Sequence, residues 1–265
     1  MKALIIDEVY EGISRELGKY MTVDTKMLPT QEELANLIGE YDVLIMRVDP
    51  AINKEILDAA KNLKVIGVCS VGLNHIDLDA AKAKGIQVFN APGMNGNAVA
   101  ELTLAKMLEL SRRTIPADLD VTVNKRWDKY RFVGRELRGK TLGILGFGRI
   151  GQRVGELGRA FLMDVVAYDP FLPAHVFEEQ HAKSMSIAEV LKVADFVTIH
   201  MPLTDETRHM FNAESIASMK HDAVVLNMAR GGIVDEKAMY EALKAGKIGG
   251  SATDVMENEL ADGGL

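Results

Sequence analysis

Short apolar runs alternate with amphipathic stretches along almost the whole chain. In the first third, ALIID (3–7), MTVDT (21–25), DVLIMR (42–47), KVIGVC (64–69) and IQVF (86–89) read as strands. Their near-continuous apolar character predicts strands covered on both faces. EGISRELGKY (11–20), QEELANLIGE (31–40) and INKEILDAAKN (52–62) lie between them with apolar residues at helical spacing. A turn-rich stretch, NAPGMNGN (90–97), is followed by a long helical pattern from Asn97 to about Arg113. Asn97 is its expected N-cap, and Val99, Leu102, Leu104, Met107, Leu108 and Leu110 supply its apolar face. A second series begins near Lys140, with strands expected at 141–146, 164–169, 195–200, 223–228 and 249–255. Helices are expected at 149–162, 186–194, 213–220 and 235–246. Such β–α alternation predicts an α/β fold of two doubly wound parallel-sheet domains, 1–93 and 94–265, with the long helix at their boundary.

Composition narrows the function. A chain that is 48% hydrophobic and 26% charged has enough apolar surface to fold, which argues against disorder. No apolar stretch approaches the roughly 20 residues of a membrane span, so no membrane is expected as partner. Asp7 and Glu8 interrupt what would be the apolar region of a signal peptide. The single cysteine, Cys69, fits a reducing cytoplasm. The net charge of −7 is spread along the chain without a basic block, so no nucleic acid is expected. No metal is expected either: the histidines form no HExxH motif, and His175 and His181, flanking VFEEQ, read as a solvated helix face.

The most informative motif is GFGRIG, which follows the strand TLGIL and opens a helix. Gly146 permits a tight turn, Gly148 lets the backbone approach a pyrophosphate, and Gly151 brings helix and strand together. The helix start at 149–151 offers N–H groups and a positive dipole end to phosphates. Asp169, at the end of the next strand, can accept hydrogen bonds from ribose hydroxyls and repels a 2′-phosphate, which favours NAD over NADP. The plain alternatives are a structural strand–turn–helix and, for Asp169, a strand-end turn with Pro170.

RGKTLGILGFGRIG, HMPLTDETRHMFN (200–212), NMARGGIVDEKAMYEAL (227–243) and DVMENE (254–259) together resemble the D-isomer-specific 2-hydroxyacid dehydrogenases. VGLNHIDLDAAKAKGIQVFNAPGMNGNAVAELTLAKML (71–108) resembles the domain junction of the same family. The resemblance covers nearly the whole chain and lies nearest the phosphoglycerate dehydrogenase branch, from ARGGIVDE and RWDKYRFVGRELRGKTLGILG. It implies a flavodoxin-like substrate domain, an inserted Rossmann NAD domain and an active site in the cleft between them. It also implies a homodimer formed through the helix and arm at about 98–135.

The resemblance also assigns residues. Arg230 matches the catalytic arginine that orients the substrate's carboxylate and carbonyl, and Glu259 matches the glutamate that supports the catalytic histidine. Asp254 matches the aspartate that contacts the nicotinamide carboxamide, and Arg149 and Ile150 match the phosphate-turn pair. Val71, Met201, Met228 and Ala229 match cofactor-lining positions, though residues of these types equally suit a core or a loop. Arg47 matches a substrate arginine of the phosphoglycerate branch, and Val71 and Gly72 match a backbone cradle for the substrate carboxylate. Asn74 and His75 stand where the family usually has Asp-Asn.

The implied reaction interconverts a small D-2-hydroxy acid and its 2-oxo acid with NAD. The expected pair is 3-phosphoglycerate and 3-phosphohydroxypyruvate, of serine biosynthesis, with glyoxylate or hydroxypyruvate reduction as the alternative. The family's catalytic histidine lies in a Pro-His-Ile-Gly-Gly type segment beyond the DVMENE region, which the 265 residues do not include. Three readings follow: a piece of a longer enzyme, a short form in which His200 takes over the proton, or a non-catalytic NAD-binding module.

Overall fold

The computed structural model describes residues 1–257. The chain divides into two compact units, Met1–Asn95 and a second beginning at Gly96.

The first unit alternates β1 (Lys2–Ile5), α1 (Gly12–Leu17), β2 (Thr22–Thr25), α2 (Gln31–Leu37), β3 (Val43–Met46), α3 (Lys54–Ala59), β4 (Val65–Val68), α4 (Leu78–Ala83) and β5 (Gln87–Phe89). The strands pair in parallel in the order β2-β1-β3-β4-β5, the flavodoxin-like arrangement. Leu4, Ile6, Leu44, Met46 and Ile66 from the strands meet Leu34, Ile56 and Leu57 from the helices in one buried cluster. Burying each such side chain contributes about 1.5–3 kcal/mol. Caps set where the helices begin: Thr30 accepts the N–H of Glu33, whose carboxylate accepts the N–H of Thr30. The chain reverses direction of addition between β1 and β3, so residues just after these two strands stand at the sheet's switch point.

The second unit runs α5 (Gly96–Arg112), α6 (Thr114–Thr122), β6 (Thr141–Leu145), α7 (Arg149–Ala160), β7 (Asp164–Tyr168), α8 (Ala174–Glu179), β8 (Lys183–Ser184), α9 (Ile187–Val193), β9 (Phe196–Ile199), α10 (Ala213–Ala217), β10 (Val224–Asn227), α11 (Glu236–Lys244) and β11 (Gly250–Thr253). Its six parallel strands lie in the order β11-β10-β9-β6-β7-β8, the doubly wound dinucleotide-binding arrangement, with its switch point between β6 and β9. Every residue of β9 and β10 is buried, the polar Thr198 and Asn227 included, as expected for largely apolar strands with helices on both faces.

Several local expectations change. Asn97 is not the N-cap of α5, because the helix already includes Gly96. Its side chain instead accepts from Arg153 Nε at 2.9 Å and donates to Glu101. The long helix stops at Arg112 because Arg113 turns left-handed, at φ 54°. α6 then restarts, with Pro116 in its first turn, where a missing N–H costs nothing. The helix expected at 213–220 closes after Ala217. α4, α6 and β8 form where no element was expected, whereas α8 supplies the helix expected at His175. His175 is exposed on α8, and His181 is exposed just beyond it. Among the described residues no helix is long and apolar enough to cross a membrane.

Candidate functional site: a dinucleotide turn and an arginine loop

The GFGRIG turn leaves β6 at the switch point. Gly146 has φ +91°, a conformation L side chains rarely adopt, and a Cβ there would come within 2.7 Å of the His200 carbonyl. Close approach of the two strand ends therefore requires glycine. Gly148 precedes α7 in an extended conformation, and no side chain caps the helix. Space for a Cβ on Gly148 is open, as a backbone that must approach a phosphate requires. The helix start and its partial positive charge thus remain available to an anion. Arg149 is exposed and Ile150 half-buried against the core beside α5.

Phe147, between the first two glycines, is fully buried and stacks on Phe177 at 5.2 Å. Its N–H donates to Asp169 Oδ2 at 2.9 Å, and its carbonyl accepts from Gln152 Nε2 at 2.9 Å. Asp169 Oδ1 accepts the N–H of Phe171 at 3.0 Å. Asp169 thus forms the strand-end turn and braces the phosphate turn as well. An ionised carboxylate has about four acceptor positions, so two remain for ribose hydroxyls. This donor and acceptor set fits a dinucleotide.

The arginine loop follows β10, at the carboxyl edge of the same sheet. Asn227, buried at the strand end, accepts the N–H of Ala229 at 3.2 Å and donates Nδ2 to the Arg230 carbonyl at 2.9 Å. That bracket fixes the turn on both sides of Ala229. The Arg230 side chain is exposed, with Nη1 on the Ala229 carbonyl at 2.7 Å, and its other N–H donors have no partner among the described residues. Gly231 packs so closely on the Met256 carbonyl that a Cβ would overlap it. Asp254 is exposed, and its N–H donates to the Asn227 carbonyl at 3.1 Å. Met201, Met228 and Ala229 are all buried, packed into the two hydrophobic clusters of this unit. What they offer a cofactor is backbone. Glu259 lies outside the described residues.

In the first unit, Arg47 is exposed immediately after β3. Asp7, just beyond β1, holds its loop: Oδ2 accepts the N–H groups of Arg47 at 3.1 Å, Val48 at 2.8 Å and Asp49 at 3.4 Å. The Val71 carbonyl accepts from Asn90 at 2.7 Å and the Gly72 carbonyl from Ser70 Oγ at 3.1 Å. The N–H groups of Val71 and Gly72 have no partner among the described residues. His75, three residues on, is buried with Nε2 unpartnered, and burial lowers its pKa against the opposing pull of the Asp49 and Asp7 carboxylates.

His200, the substitute proton carrier considered above, is a poor one. Burial pushes its pKa down to about 4, its Nε2 is engaged with Thr198 Oγ1 at 2.9 Å, and its enclosed Nδ1 has no partner. An imidazole whose charged form is so disfavoured by burial is neutral at ordinary pH and a weak proton donor.

Sequence reasoning missed Asn227 and Asp7. The one available signal was a polar residue ending or following an apolar strand, which is indistinguishable from an ordinary turn former.

Residues 104–264 match the family described as D-isomer specific 2-hydroxyacid dehydrogenase, NAD binding domain. The chain is 44% identical over 260 residues to a D-3-phosphoglycerate dehydrogenase of Methanocaldococcus jannaschii, covering 98% of this chain and 49% of that protein. It therefore spans about half the length of that relative. It is 42% identical to a hydroxypyruvate reductase of Thermotoga maritima, covering 86% of this chain and 74% of the relative. Among solved structures, the D-lactate dehydrogenase of Aquifex aeolicus, complexed with NAD and lactic acid, superposes with a TM-score of 0.83 at 33% identity, covering 97% of this chain and 78% of that one.

Proposed function

The chain belongs to the D-isomer-specific 2-hydroxyacid dehydrogenase family, and we propose that it binds NAD and a small 2-oxo or 2-hydroxy acid for the interconversion of the two. The observation that carries this reading is that the uncapped glycine turn and the exposed Arg230 both stand at the carboxyl edge of one six-stranded parallel sheet. That edge is where open α/β sheets bind ligands.

Gly146, Gly148, Arg149, Ile150 and Gly151 form the pyrophosphate cradle, and Asp169 takes the adenosine ribose hydroxyls. Its negative charge opposes a 2′-phosphate, which favours NAD. Met201, Met228, Ala229 and Arg230 line the nicotinamide end with their backbone, and Asp254 takes the carboxamide. Bound NAD supplies the hydride acceptor in one direction and the hydride donor in the other. The Arg230 guanidinium binds the substrate's carboxylate and polarises its carbonyl with its planar fork of donors. Residues 1–93 act as the substrate domain, in which the N–H groups of Val71 and Gly72 hold the carboxylate and Arg47 takes a distal phosphate. Glu259 supports the proton-transfer step by stabilising a protonated imidazole.

The substrate pair is 3-phosphoglycerate and 3-phosphohydroxypyruvate. The supporting features are Arg47, braced by Asp7, and the similarity to the methanogen protein. The likeness to the Thermotoga protein, over a larger share of that relative, favours hydroxypyruvate as the second reading. Binding of phosphohydroxypyruvate, hydroxypyruvate and glyoxylate to the NADH-saturated chain distinguishes them. Arg47→Ala weakens only the phosphorylated ligand in the first reading and leaves all three unchanged in the second.

The assembly proposed is a homodimer through the region 98–135. In its support, Leu119, Val123, Trp127, Tyr130 and Val133 are exposed within one short stretch. Sedimentation of the chain at about twice the monomer mass, and at the monomer mass with Trp127 and Tyr130 changed to Ser, is the expected result.

A further inference from the structure

We infer that His209 is a positioning residue that holds the Arg230 loop and the segment leading to Glu259 in register; the catalytic consequence rests on the reading of Arg230 given above. Two bonds of one residue make the link. The His209 N–H donates to the carbonyl of Gly232, two residues beyond Arg230, at 2.8 Å. Its ring Nε2 meets Oε1 of Glu257, two residues before Glu259, at 2.8 Å.

Neighbouring bonds make these two contacts matter. The Glu257 N–H donates to Oε1 of Glu236, the first residue of α11, at 2.8 Å, so the carboxylate facing His209 is itself anchored through its backbone. Gly231 rests directly on the Met256 carbonyl, so any shift of 256–257 is transmitted to the residue beside Arg230. Phe211 continues the same pairing, its N–H on the Ile233 carbonyl at 3.2 Å and its carbonyl accepting the Asp235 N–H at 2.9 Å. His209 adopts φ +49°, so its backbone turns to place both donors, a conformation that non-glycine residues seldom take without such bonds.

The energetics separate positioning from stability. The His209 side chain is 42% exposed and that of Glu257 28% exposed. A polar contact so open to water adds little to folding free energy. It spans 48 positions of sequence, however, and with the His209 N–H on the Gly232 carbonyl it joins the loop that carries Arg230 to Glu257. Its removal should therefore loosen these loops while leaving the fold intact.

The test is hydrogen–deuterium exchange on the full chain, with NADH affinity and melting temperature measured beside it. In His209→Ala the amides of Ala229, Phe211 and Glu257 are expected to exchange about tenfold faster. NADH affinity stays within about twofold and the melting temperature barely moves. His209→Gln, which can still donate to Glu257, restores slow exchange. Glu257→Ala, which breaks the pair from the other side, reproduces the loosened pattern and decides the matter if His209→Ala does not fold. Where the chain reduces a 2-oxo acid, His209→Ala lowers kcat with little change in the KM for NADH. Unchanged exchange in both alanine variants, or a glutamine variant indistinguishable from alanine, overturns the proposal. Loosened loops together with an Arg230→Ala chain that binds 2-oxo acid normally would refute the role of Arg230 and leave the positioning role standing.

Discussion

The carboxylate of Asp169 accepts the backbone N–H of Phe147 at 2.9 Å, tying the end of β7 to the middle of the glycine turn. One side chain thereby sets the distance between the proposed ribose and pyrophosphate positions. Asp169→Ala removes both the proposed ribose contact and the brace. With hydrogen bonds to charged groups worth about 1.5–3 kcal/mol, NADH should bind roughly 10- to 100-fold more weakly. Fluorescence titration with NADH checks this, and Asp169→Asn should fall between, since it keeps one acceptor oxygen.

Asn227 holds the Arg230 loop through two bonds, to Ala229 and to Arg230 itself. Asn227→Ala leaves a buried N–H and a carbonyl unsatisfied, which costs about 1–3 kcal/mol. Urea denaturation should show that loss. Isothermal titration should show weaker binding of 2-oxo acid with NADH affinity nearly unchanged.

His200 gives the fold an acid sensitivity of defined sign. Its folded-state pKa, about 4, lies below that of an unfolded histidine, about 6.5. The unfolded chain therefore takes up the proton first, and stability present above pH of about 6.5 is lost as pH falls toward about 4. The shift corresponds to about 3 kcal/mol at most, and the lowered pKa of His75 acts in the same direction. Denaturation midpoints measured between pH of about 7 and 4.5 should fall, and His200→Gln should flatten that dependence.

Asp7 braces the Arg47 loop from 40 positions away. Asp7→Ala should weaken binding of a phosphorylated 2-oxo acid about as much as Arg47→Ala does, while the affinity for glyoxylate stays the same. Competition titrations with the two ligands decide it.

The two sheets were legible because parallel strands buried on both faces need near-continuous apolar runs, and DFVTIH and AVVLNM are close to that at β9 and β10. GFGRIG was legible because its glycines meet steric demands that the structure displays at Gly146. Asn227, Asp7 and His209 were not. Each is a polar residue near a strand end or turn: the partners of Asp7 and His209 lie 40 and 48 positions away, where only the fold brings them near, while Asn227 bonds to residues two and three positions on, as an ordinary turn former would. Asn97 misled for a related reason. An asparagine before an apolar periodicity suits an N-cap, but here Arg153, 56 positions on, engages its side chain inside the helix. Met201, Met228 and Ala229 were open between core and cofactor lining, and the structure places their side chains in the core.

The most direct test of the account is binding of 3-phosphohydroxypyruvate to the NADH-saturated chain, compared with Arg230→Ala. Both chains are expected to bind NADH alike, and only the unmodified chain then to bind the 2-oxo acid. Equal binding of the 2-oxo acid by both, or failure of the unmodified chain to bind NADH, would contradict it.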